Sequence, residues 1–180
     1  MLIPNFVRGI TTGIVGVITV IAIATGIVDE KSSSYVNVVM QLAILLGSFG
    51  FAFLCKKIKV RNLMLIGVLG LCVLLPLSIL KSDIILFLTL YGVAYLFMVC
   101  VDTAIPVLIT EIIPEDEIGG YTSIRMMVFT AGTAVSTLLI LPIVNAVGYV
   151  GLLTFASICL LICGISYYVT AILCNRKESE

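Results

Sequence analysis

Asp102 is the only carboxylate well inside a long apolar run of this chain. At about 100° per residue of helix, Tyr91, Tyr95, Met98 and Asp102 fall on one stripe, with Pro106 nearby. An ionisable group in hydrocarbon is costly and faces a polar pathway or a partner. A lone carboxylate beside tyrosines is therefore a candidate for a proton or cation site, or for pairing with a basic substrate. The competing reading is a structural ion pair close to the end of the run, for instance with Arg125. Other polar groups line up in the same way. Asn37, Gln41 and Ser48 lie within about 40° of one another on a helix, Thr130, Thr133 and Thr137 do nearly the same, and Thr12 and Thr19 share a face. Hydroxyls also bond their own helix backbone, so a single Thr or Ser says little. Two amides on one face need partners or water. The candidate path-lining residues are Asp102, Tyr91, Tyr95, Asn37, Gln41 and Thr133.

These residues sit in six long apolar runs that fill most of the 180-residue chain, at about 10–28, 35–54, 63–80, 84–110, 124–144 and 147–173. Apolar residues make up 61% of the chain, and mean hydropathy is +1.28. A helix needs about 20 mainly apolar residues to cross the hydrocarbon core. The runs are continuous and lack the two-residue alternation of a membrane barrel, so they read as helices. The expected fold class is all-α: a polytopic membrane protein of six transmembrane helices, with residues 1–180 forming one six-helix domain. The break between the fifth and sixth runs is the tightest, and rests on Pro142, Asn145 and Gly148. Polar stripes occur in the first, second, fourth and fifth runs and almost not at all in the third. That suits a bundle in which four helices line a polar cavity.

Net charge is zero and says nothing about partners, but the positive charges are unevenly placed. Arg8, Lys56, Lys57, Lys59, Arg61, Arg125, Arg176 and Lys177 fall on one side of the six spans, and only Lys31 and Lys81 on the other. Lys and Arg near span ends mark the cytoplasmic face, so both termini are expected there, in the cell membrane. The first run is too long for a signal-peptide core and no small-residue cleavage site follows it. Gly9, Gly13 and Gly16 on one side of the first span, with Gly47 and Gly50 in the second, are read as points of close helix approach. Cys159 and Cys163 share a helix face, which fits packing better than metal or redox chemistry. The chain has no His, no paired intramembrane carboxylates, no Gly-x-Ser-x-Gly and no P-loop. An enzyme, a metal site, a bound cofactor and ATP-driven transport are therefore not expected. Nor is nucleic-acid binding, since the short basic stretch at 56–61 is explained by topology.

Two connections carry a family likeness. The first is Gly47-Ser48-Phe49-Gly50-Phe51-Ala52-Phe53-Leu54-Cys55-Lys56-Lys57-Ile58-Lys59-Val60-Arg61. The second is Ile113-Pro114-Glu115-Asp116-Glu117-Ile118-Gly119-Gly120-Tyr121-Thr122-Ser123-Ile124-Arg125, followed by Thr130-Ala131-Gly132-Thr133-Ala134. Together they resemble the C-terminal six-helix half of a major facilitator superfamily (MFS) transporter. Gly50, Lys56, Lys57 and Arg61 are similar to the family's basic loop between the second and third helices of a half. Lys56 stands where that loop has an acidic residue and Lys59 where it has a glycine. Pro114, Gly119 and Arg125 resemble the connection into the fifth helix. The resemblance implies two inverted three-helix repeats and alternating-access transport of a small solute, with a proton or cation as the coupling candidate. It also implies that the first and fourth helices face the path, near Asp102, Tyr91 and Tyr95. A complete member has two such halves. One half here implies a remnant, a pairing with a separately encoded half, or a homodimer. A non-transporting membrane subunit is the alternative.

Overall fold

The computed structural model describes residues 2–80 and 83–177, with side chains through Leu173. Lys81, Arg176 and Lys177, which entered the charge-bias argument, lie outside the described side chains. Every regular element among the described residues is helical. Helix α1 (Leu2–Gly16) and helix α2 (Ile18–Ala24) form the first span, bent by 42° at the break between them. A turn through Gly26 (φ 71°) and a 3-10 turn (Glu30–Ser32) lead to α3 (Ser33–Leu54). Helices α4 (Val60–Leu77), α5 (Ile84–Ile112) and α6 (Ile118–Lys177) follow. Helices α3 to α6 are each long and apolar enough to cross a membrane, and the α1–α2 pair together supplies one more.

The 60-residue α6 is two crossings rather than one. Gly148 alone leaves helical geometry, at φ 73° and ψ −178°. That region is open essentially to glycine only, so a single residue makes the whole turn. Contacts with α1 show that the chain reverses there. Gly13 faces Ser136 and Thr133. Thr11 Oγ1 also bonds the Ala156 carbonyl at 3.4 Å, and Cys163 Sγ bonds the Pro4 carbonyl at 2.9 Å. Residue numbers rise with those of α1 along the first limb and fall along the second, so the limbs are antiparallel. Each limb is about 45 Å long at 1.5 Å per residue, ample for one crossing. The break falls at the end of the stretch expected to contain it.

The first span begins earlier than its apolar run. The run is expected to start at about residue 10; the helix starts at Leu2, with Arg8 inside it and Pro4 in its first turn, where a missing N–H is harmless. At the start of α5, Asp83 accepts hydrogen bonds from the Ile85 and Leu86 amides at 2.8 and 3.2 Å, which satisfies two of the orphan donors of that end.

Helices in lipid gain little from hydrophobic burial and instead associate by close packing. The glycines show where. A Cβ on Gly132 would run into the Phe6 carbonyl and lie 3.1 Å from the Gly9 Cα, and one on Gly9 would meet the Phe129 and Thr133 backbone. Gly47 does the same against Val99 of α5, at 3.0 Å, and Gly67 against Phe97 and Val101. Gly164 brings the second limb of α6 onto Val68 of α4. Gly16 and Gly50, grouped with these by sequence, face open space and do no such work. Replacing Gly132 by Ala should therefore destabilise the bundle by about 1–3 kcal/mol, because the obstruction is backbone and cannot yield. Gly50→Ala should be neutral or raise stability by about 0.5–1 kcal/mol. Thermal unfolding in detergent checks both; equal melting temperatures for the two variants would contradict this packing.

Candidate functional site

Three charged residues from three helices meet about one third of the way in from the end that carries both termini. Arg8 comes from α1, Asp102 from α5 and Arg125 from the first limb of α6. Arg8 Nη2 donates to Asp102 Oδ1 in an ion pair. The Arg8 guanidinium also lies over the Phe129 ring, 5.3 Å from its centroid, a cation–π contact that adds to its confinement. The Arg8 side chain is 11% exposed and that of Asp102 41%. The carboxylate thus remains accessible while its partner is held.

Arg125 is different. It is 9% exposed, and its Nε and Nη1 are buried with no hydrogen-bond partner. The hydroxyls of Tyr121 and Tyr167, which lie within electrostatic reach of Arg125, are also buried and unpartnered. Arg8, Asp102 and Arg125 share the lining of one half-open cavity of about 140 Å³ with Asn5, Pro106, Met126 and Phe129. A second pocket, on the other side of the ion pair by Thr11, Thr12 and Met98, has about 10 Å³, the space of one water at most. Two guanidiniums against one carboxylate leave one positive charge over.

The sequence-derived candidates fare unequally. Asp102 pairs with Arg8, not with Arg125, the partner considered for it. Tyr91 is 2% exposed. It stacks on Phe87 (centroids 5.7 Å apart) and meets Tyr95 edge-on at 5.6 Å, so it belongs to the packed core rather than to an open lining. Tyr95 is half-buried beside it. The Thr133 hydroxyl lies 3.2 Å from both the Gly9 and the Phe129 carbonyls and stitches α1 to α6. Asn37 and Gln41 are exposed and line an open groove of about 580 Å³ along the outer side of α3, with Leu42 and Leu45. They do not meet Asp102. Of the connection residues, Gly50, Lys56, Lys57, Pro114 and Gly119 are half-buried or exposed, with Lys57 Nζ over the Phe53 ring at 5.0 Å. Arg61 has a buried Nε without a partner. Only Arg125 of that group reaches the cavity.

Sequence reasoning missed Arg8 as a site residue and treated it as a topological charge. The signal was present: Asp102 and Arg8 are charges of opposite sign in or beside apolar runs, and each needs the other.

A family model described as Major Facilitator Superfamily matches residues 1–180. The chain belongs to that superfamily, whose members are membrane transporters. No curated relative and no solved structure matches it.

The outer face of α3 gives a direct check. In a Cys-substituted series, Asn37→Cys and Gln41→Cys should react readily with a water-soluble maleimide, whereas Tyr91→Cys should stay unmodified in the folded protein. Failure of both α3 positions to react would place that face against lipid and remove Asn37 and Gln41 from any path.

Proposed function

We propose that this chain is a secondary transporter of a small solute, acting as one six-helix half that works by alternating access. The observation that carries this reading is the group of three charged residues around a cavity within helices long enough to span a bilayer. Charges there are expensive and persist where they serve a path. The cavity forms where α1, α5 and the first limb of α6 meet, so a relative movement of these helices would expose or close it. Asp102 is the coupling candidate. It is the more exposed partner of its pair, and protonation would release Arg8 from it.

The opposite half of the path is supplied by a second six-helix bundle, either a second copy or a separate chain. The exposed groove with Asn37 and Gln41 is the surface that would face it. Both termini lie on the cytoplasmic side of the cell membrane, in line with the clustering of Lys56, Lys57, Lys59 and Arg61 in one connection.

Reconstitution into proteoliposomes tests the reading. The wild-type chain, with its partner half where one co-purifies, should accumulate solute against a gradient under an imposed proton or sodium gradient. Asp102→Asn should abolish that accumulation. Unchanged uptake by Asp102→Asn at every pH would remove Asp102 from the mechanism. A stable complex with another membrane protein and no flux of any solute would favour a non-transporting subunit instead.

A further inference from the structure

The unpaired guanidinium of Arg125 is the least explained feature of the molecule. Leaving a buried charge without a partner costs several kcal/mol. Among the described residues, the one carboxylate in the cavity is already engaged by Arg8. Arg125 lines that same cavity of about 140 Å³, whose charged residues therefore sum to one positive charge. We infer that this cavity binds a small organic monoanion through its carboxylate, with Arg125 as the principal ligand and Arg8 as the second cation.

Three observations select that class. First, a guanidinium presents planar forks that match a carboxylate edge to edge, and the buried Arg125 has no acceptor within the protein for Nε or Nη1, each of which shares a fork with Nη2. Second, Asp102 lines the same cavity, so a dianion would be repelled where a monoanion is balanced. Third, Pro106, Met126 and Phe129 in the lining suit a short apolar tail, and the Asn5 amide is the one neutral polar side chain beside them. The volume of about 140 Å³ has room for a carboxylate with a few carbons. All the lining comes from α1, α5 and α6, so the site is complete within this chain. That this anion is also the transported solute rests on the transport reading above; its binding does not.

Propionate is a suitable probe and propionamide its neutral isostere. With the purified chain in detergent at constant ionic strength, propionate should raise the melting temperature in a saturable way, as a ligand of the native state does. Propionamide should not. Radiolabelled propionate should bind at one per chain. Arg125→Gln should weaken binding by about tenfold to a hundredfold, the usual effect of losing a charged hydrogen bond. Arg125→Lys keeps the charge but loses the fork; it should remain folded and bind about tenfold more weakly, which covers the case in which the Gln variant does not fold. No saturable binding to the wild type, or equal binding by the wild type and either folded Arg125 variant, overturns the site. The outcomes for transport are separate. Saturable propionate binding without flux in proteoliposomes rejects the transport reading and leaves the anion site standing. Flux of a neutral solute without propionate binding does the reverse.

Discussion

A charge inside hydrocarbon must be neutralised close at hand, and the Arg8–Asp102 pair meets that requirement for this bundle. The two residues stand on α1 and α5. Helix α1 packs chiefly on the two limbs of α6, whereas α5 packs on α3 and α4 and touches α6 little. Helices α4 and the second limb of α6 join the two groups along one side, through the Gly164–Val68 approach and the Cys72 to Ser157 hydrogen bond of 3.1 Å. The ion pair adds a charged link between the groups, beside the few direct contacts of α5 with α6 and of α2 with α3. Its neighbourhood is where the helices part enough to leave a cavity. The same arrangement thus binds the bundle together and leaves a space beside the bond.

Backbone approach sets how closely those helices lie. Gly9 and Gly132 bring α1 and the first limb of α6 almost into main-chain contact, and Thr133 and Ser136 fill the remaining space with hydroxyls bonded to carbonyls. That contact fixes the height of Arg8, one residue before Gly9, against Phe129 and Arg125. The glycines and the charged cluster are therefore one construction. The close crossing sets the geometry, and the charges occupy a place where the helices part. Gly148 serves the same end from a distance, because its turn returns the second limb alongside α1, where the Pro4 carbonyl accepts from Cys163.

The all-helical membrane architecture was legible from the apolar runs, whose length and continuity leave few other structures in a bilayer. The ends were less so. A hydropathy run stops at a charge, so residue 10 looked like the start of a span that begins at Leu2. Arg8 lies inside that helix and finds its partner 94 positions away, which no local pattern contains. The stripe arithmetic on α5 correctly singled out Asp102, and it grouped Tyr91 with it. A stripe is several turns long, however, and neighbouring helices cover one end while leaving the other open, so Tyr91 is core and Asp102 is not. Asn37 and Gln41 share a face, as expected, but periodicity cannot say which way the face points; it points outward. Arg125 was read as a topological charge, a connection residue and a candidate partner of Asp102, and emerged as a buried cation with unpartnered nitrogens, a property only the tertiary packing reveals.

Arg8 and Asp102 are partners across the bundle, and exchanging their charges tests that most directly. Arg8→Asp and Asp102→Arg, made singly, each place two like charges side by side and should lower the yield of monodisperse, cooperatively melting protein. The double exchange restores an opposite pair and should recover much of the loss, a coupling of about 1–3 kcal/mol. Melting temperatures for the double exchange no higher than for the worse single variant, or a wild-type melting temperature for Asp102→Arg alone, would contradict it.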